Sequence, residues 1–452
     1  MYRKNAWEKY QDNLDVVMNF NEDYKKFISF GKTERLVVKE SIELLEKAGF
    51  KNAEGLQSVK PGSKVYFLNK NKNICAFIVG KKPLTDGMRI LGAHIDSPRL
   101  DLKESPFYEK NGFVLGDTHY YGGVKKYQYV TIPLALHGVV CKKDGSVVEL
   151  HIGEKEDDPV VGITDLLIHL SADQMQKPMA KAIEGENLDI SLGSIPLKDK
   201  GAKDYILKLL KEQYDIEEED FISAEIEVVP AGPARDYGLD RSMVAGYGHD
   251  DRVCAYTSLK AILDSKKPEY TACCILVDKE EIGSVGATGA QSLFFENTIA
   301  QLAKLLGLQD PLYAARLALQ ASKMLSSDVS AGFDPLYAYV SDPKNAAYLG
   351  EGLVFNKYTG ARGKSGSNDA NPEYYAFIRK TMDDAKVNWQ SSELGKVDQG
   401  GGGTIAYILG NYNMNVIDAG IPVLNMHAPM EIVSKVDVYE AYRGYQAFLL
   451  SK

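Results

Sequence analysis

The chain has 452 residues, of which 44% are apolar and 25% charged, with a formal net charge of −9. That length is one large or two ordinary domains, and the apolar share is enough for a globular core. The acidic balance, spread along the chain, argues against a nucleic-acid partner, and no run of about eighteen apolar residues is present to span a membrane.

The chain opens with MYRKNAWEKYQDNLD, which is polar and helix-like, with neither an apolar core nor a small-residue cleavage site, so it gives no sign of a secretion signal. The five cysteines are scattered and contain no CxxC pair. They read as reduced core residues and point to a cytoplasmic protein. Residues 8–50 have helical apolar spacing, closed by Gly49. Strands are expected at 64–68, 74–79 and 88–95, with a hairpin turn at NKNKN. The third ends in GAHIDSPRLD, where His94 and Asp96 are two apart and share a face if the strand continues.

Residues 103–240 change character. They carry Gly- and Tyr-rich turns such as GDTHYYGG, alternating strands in SVVELHIG and ISAEIEV, and a helical stripe through Ile206, Leu209 and Leu210. Alternation means sheets with one wet face, and the segment is expected to be a separate inserted domain. VVPAGPARDYGLD closes it as a linker. The remainder, 241–452, alternates helices and apolar strands, an α/β pattern shared with 1–102. A helix is expected from Asp250, and a last one over 437–450.

The centre of the chain is YTACCILVDKEEIGSVGATG, residues 270–289. The uncharged run 272–277 predicts a strand buried on both faces. Glu280 and Glu281 then lie at its C-terminal end, where open α/β sheets bind ligands. Two adjacent carboxylates repel each other unless one holds a cation and the other a proton in transit. His94, Asp250, Asp328 and His427 likewise lie at strand ends or helix starts. Two histidines and three carboxylates (Asp250, Glu281, Asp328) suit two divalent ions, zinc being the expected one and cobalt or manganese the alternatives. Glu280 is left as general base, and Asp96 can orient His94.

The segments GAHIDSPRL, GHDDR, DKEEIGS, SSDVSAGFDP, VDQGGGGTIA and NMHAPMEIVS, in that order, resemble the aspartyl aminopeptidase family of dinuclear zinc metallopeptidases over nearly the whole chain. The resemblance implies a three-layer αβα zinc-exopeptidase domain with an inserted β-rich dimerisation domain. It implies that His94, Asp250 and Asp328 hold one metal, and Asp250, Glu281 and His427 the other. It also implies a cis Asp250–Asp251 peptide, peptide substrates with a free N-terminus, and a tetrahedral twelve-subunit assembly. In that assembly His169 reaches a neighbouring subunit's active site. Gly400 to Gly403, including Gly402, line the substrate pocket with Thr404. In aspartyl-specific members a lysine sits in the strand after the Asp328-type ligand. Alignment puts Asn356 there, so neutral N-terminal residues are the expected substrates. The alternatives are another dizinc hydrolase, a carboxypeptidase or deacylase using Arg99 or Arg362, or a non-catalytic scaffold.

Overall fold

The structure, a computed structural model, describes residues 4–360 and 362–452. It divides into two units. The first comprises Met1–Asp96, Ala234–Met426 and Glu431–Lys452, and the second comprises Ser97–Pro233 and His427–Met430. These divisions fall a few residues before those expected at 102 and 240. The reason is strand pairing: Arg99–Lys110 belongs to the sheet of the second unit, and Arg235–Tyr237 pairs with Met243–Gly246 in the first.

The first unit is built on a nine-stranded sheet. Its central strands, in spatial order Thr271–Val277, Met88–His94, Lys323–Ser326 and Asn415–Gly420, run parallel. The hairpin Lys64–Asn69 and Asn73–Ile78 extends one side. Thr271–Val277 is buried at every position, and its residues alternate between two cores. Ala272, Cys274 and Leu276 pack with helices that include Leu14–Phe30, His249–Asp264 and Lys435–Leu449. Cys273, Ile275 and Val277 pack with Phe294–Leu305 and Pro311–Ala321. A parallel sheet covered on both faces needs such continuous apolar strands, and the result is the expected three-layer αβα arrangement. A smaller five-stranded sheet in the same unit contains Met243–Gly246 and Glu431–Ser434, paired antiparallel.

The second unit carries a six-stranded sheet in which every neighbouring pair is antiparallel. Here the expectation of a β-rich insert and the observed strands differ in detail. GDTHYYGG, read as a turn, forms most of the end of strand Phe113–Tyr121, because Tyr and Thr suit a pleated surface and outweigh its leading glycine. Ile222 and Ser223 close a 3₁₀ turn, so the strand starts at Ala224.

The N-terminal helical stretch is two helices, Leu14–Phe30 and Glu34–Lys47. Gly31 ends the first, and the Thr33 hydroxyl caps the second by accepting from Leu36 N at 3.3 Å. A Thr three residues before an apolar stripe is an N-cap signal. Four cysteines are buried in the sheet and helices, while Cys141 is exposed. Among the described residues no helix is long and apolar enough to cross a membrane.

Candidate metal centre and active site

The parallel pairing of Met88–His94 with Thr271–Val277 sets Val277 opposite His94. Ile95 N continues the ladder by donating to Val277 O at 2.9 Å. Asp96 therefore arrives beside the turn that follows Val277, and its carboxylate closes that turn. Oδ1 accepts from Glu280 N and Oδ2 from Glu281 N, both at 3.1 Å. The same carboxylate lies 3.3 Å from His94 Nδ1, which is also 3.1 Å from the Asp96 backbone oxygen. One buried side chain thus sets both the histidine ring and the glutamate pair.

His94 Nε2 points the other way, 3.2 Å from Asp250 Oδ1 and 4.0 Å from Glu280 Oε2. Asp250 opens the helix His249–Asp264, but Asp250 and Asp251 both depart from helical torsions, and the peptide between them is cis. Glu431 accepts from Asp250 N at 3.0 Å, and Asp251 Oδ2 accepts from His94 N at 3.2 Å. Buried Arg252 donates from Nε to Ile95 O at 3.1 Å.

Among the described residues two groups in this unit could hold an ion, with ligand atoms all within 4.8 Å of one another: His94 with Asp250 and Glu281, and His94 with Asp251 and Asp328. Asp328 follows strand Lys323–Ser326, whose extension places Ser327 N on Gly92 O at 2.6 Å. The first group matches expected ligands. The second brings in Asp251, which sequence reasoning passed over although it stands in the GHDDR segment. Glu431, in the C-terminal MHAPMEIVS segment, was passed over in the same way.

The electrostatics fit a cation. Burial works against charge on His94, yet hydrogen bonds to Asp250 and Asp96 and the charges of Asp251 and Glu280 hold its ring well above the usual range. Burial first, together with the neighbouring acids, pushes Asp251 and Asp328 well above the carboxylate range. So many carboxylates around one imidazole stabilise positive charge at this point, whether a proton or the divalent ion that displaces it. His249, by contrast, is pushed down to about 3 by burial and adds no charge.

The remaining expected residues are placed as follows. His427 belongs to the second unit, with Nδ1 3.0 Å from Gly123 O, and is in neither of the two groups that could hold an ion. His169 is exposed in the 3₁₀ turn Ile168–Leu170 of that unit. Arg99, offered for a carboxylate in the alternative reading, lies 2.8 Å from Asp101 Oδ1 and 3.2 Å from Glu227 Oε2. Asn356 is buried and engaged within the protein: Oδ1 accepts from Ser330 Oγ at 2.6 Å, and Nδ2 donates to Ser392 O at 3.0 Å and Ser392 Oγ at 3.1 Å. Lys357 and Lys364 both pair with Asp369. The Thr404 hydroxyl donates to Asp418 Oδ1 at 2.6 Å and accepts from Ala406 N at 3.2 Å. Gly402 accepts from Gly360 N at 2.8 Å.

Residues 27–449 match the model of a peptidase family described as aminopeptidase I zinc metalloprotease (M18). The chain is 58% identical to a probable M18 family aminopeptidase 1 of Clostridium acetobutylicum, over 99% of this chain and 98% of that one. It superposes on the crystal structure of an M18 aminopeptidase from Thermotoga maritima with a TM-score of 0.96 at 44% identity, covering 99% of each chain. A yeast aminopeptidase solved as a dodecamer shares the fold at 19% identity and a TM-score of 0.76, over 97% of each chain.

The position of Asp328 depends on Gly420. A Cβ added at Gly420 would lie 1.7 Å from Asp328 O. We expect Gly420→Ala to displace Asp328, destabilise the fold by about 1–3 kcal/mol and weaken zinc retention. Urea unfolding and metal analysis after dialysis check both, and unchanged zinc content would show that Asp328 does not hold metal.

Proposed function

This chain belongs to the aminopeptidase I (M18) family of zinc metalloproteases, and we propose that it removes N-terminal residues from peptides at the site around His94, with Glu280 as general base and two divalent ions per subunit. The carrying observation is the split between adjacent glutamates. Among the described residues Glu281 groups with His94 and Asp250 as a ligand, whereas Glu280 does not. Glu280 is 17% exposed in its side chain and 4.0 Å from His94 Nε2. It is close enough to act on a reactant at the ions and is not needed to bind them.

His94, Asp250, Asp251, Glu281 and Asp328 would hold the ions, with His427 completing the set. Zinc is expected, and cobalt or manganese can substitute in such oxygen- and nitrogen-rich sites. When bound, zinc lowers the pKa of its water to about 7 and polarises a carbonyl oxygen. Glu280 takes the proton from the attacking water and passes it to the leaving amine. Asp96 fixes both glutamates by their backbones, so the base stays aimed through the cycle. The acid-rich surroundings favour the positive α-ammonium of a free N-terminus over an acylated one. Gly402 and Gly403 supply a side-chain-free wall for the substrate backbone.

The first residue removed is expected to be neutral. Asn356 carries no charge and is engaged by Ser330 and Ser392, and Lys357 and Lys364 are both held by Asp369. Burying an unpaired substrate carboxylate beside them would cost several kcal/mol.

The second unit exposes Leu166, Leu167, Ile168, Leu170, Met175 and Met179 within a short span. Clustered apolar exposure of this kind marks an interaction surface. We read it as self-association into the tetrahedral dodecamer, with His169 on the same segment serving the oxyanion of a neighbouring subunit. Four thiols buried in the core support reading the protein as cytoplasmic.

Three outcomes test this reading. Glu280→Gln should keep its zinc and lose at least about 10²-fold in kcat, whereas loss of zinc would reverse the roles of the two glutamates. The kcat/KM of Leu- or Met-peptides should exceed that of Asp-peptides with identical tails, and a ratio below one would mean a cation reaches the pocket. Light scattering should show a particle far above the 49.9 kDa monomer. A fully active monomer would remove both the assembly and the role of His169.

A further inference from the structure

The glycine run 400–403 divides into two pairs. Gly400 is required by the fold, since a Cβ there would lie 1.6 Å from Leu394 O. Gly401 is required by its backbone, with φ +132°. Neither reason applies to Gly402 or Gly403. Neither has a positive φ, and the nearest atoms to an added Cβ are 3.8 and 4.0 Å away, ordinary contact distances. Both are exposed. The protein alone would accept alanine at either position, so packing does not account for glycine there.

Such a face is useful only if it is held still. Backbone hydrogen bonds tie Gly400 N to Lys396 O at 3.0 Å and Gly360 N to Gly402 O at 2.8 Å. Beyond Gly403 the anchor is the Thr404 hydroxyl on Asp418. Asp418 lies inside strand Asn415–Gly420, opposite Ser326 on one side and Asn356 on the other, and is 2% exposed. A carboxyl at such a place costs stability unless it holds something. Its Oδ1 holds Thr404, and Thr404 in turn accepts from Ala406 N at the start of the helix Ala406–Gly410.

We propose that Asp418 is a positioning residue for the reaction: through the Thr404 hydroxyl it fixes the glycine segment so that Gly402 and Gly403 meet the substrate backbone. The proposal rests on the aminopeptidase reading above. Burial pushes the Asp418 carboxyl up to about 7 despite the hydrogen bond from Thr404, which fits a group kept for its contact and not for a charge pair.

A contact made equally in the ground and transition states acts on KM and leaves kcat alone. On zinc-loaded enzyme with leucine p-nitroanilide, Thr404→Val should raise KM by about tenfold with kcat within about threefold. Thr404→Ser, which keeps the hydroxyl, should stay near wild type. Asp418→Asn keeps a weaker acceptor and should raise KM less. The double variant Thr404→Val with Asp418→Asn should be no worse than Thr404→Val, because both remove one interaction. Hydrogen exchange of amides 400–404 should quicken in Thr404→Val at unchanged melting temperature. An unchanged KM in Thr404→Val, multiplying effects in the double variant, or unaltered exchange would overturn the proposal. If Asp418→Asn does not fold, the Thr404→Val and Thr404→Ser pair decides. Wild-type enzyme inactive on every aminoacyl nitroanilide would instead overturn the aminopeptidase reading.

Discussion

The Asp96 carboxylate is the contact on which the site depends. It receives the backbone N–H groups of both Glu280 and Glu281 and sits against Nδ1 of His94. A carboxylate accepting two backbone donors is rigid, and a histidine leaning on it has its tautomer set. His94 and the backbone of Glu280 and Glu281, the proposed ligands and base, therefore share one anchor. The sheet makes this possible because two parallel neighbours, Met88–His94 and Thr271–Val277, end in register, and the loops that follow must meet.

The same geometry explains how so many acids are tolerated in one place. Three of the carboxylates are partly answered by backbone: Asp96 by the glutamate turn, and Asp251 by His94 N. Glu431 is answered by Asp250 N. Burial pushes Asp251 and Asp328 up, with the neighbouring carboxylates adding to it, while hydrogen bonds to Asp250 and Asp96 raise His94 against the effect of its burial. So acidic a cluster gathers positive charge, as the proposed divalent ions require.

Much of this was legible in residue order. The run 272–277 announced a buried strand by lacking any charge, and the positions of His94, Glu280, Glu281 and Asp328 followed from strand ends. Asp251 and Glu431 were not legible, because Asp251 directly follows a more obvious candidate, Glu431 meets Asp250 only in the fold, and both contacts are to backbone that spacing does not encode. The break between Leu14–Phe30 and Glu34–Lys47 was overlooked for a related reason: apolar spacing carries across Gly31 and Thr33, and only the cap chemistry marks the interruption. Strand Phe113–Tyr121 was missed because glycine was given more weight than the aromatic and β-branched residues that pair it.

Glycines show best where sequence stops and structure takes over. In the letters, Gly400, Gly402, Gly403 and Gly420 are alike. In the fold they separate by what lies where a Cβ would be. At Gly420 it is the Asp328 carbonyl, at Gly400 the Leu394 carbonyl, and at Gly402 and Gly403 almost nothing. The first two are packing constraints, and Gly420 passes its constraint directly to Asp328. The last pair has no such constraint inside the protein, which is why the proposed substrate face is placed there. That distinction turns a composition cue into a statement about substrate. The same proposal gives Asp418 its role in the sheet interior: through the Thr404 hydroxyl the core holds a wall that has no side-chain packing of its own.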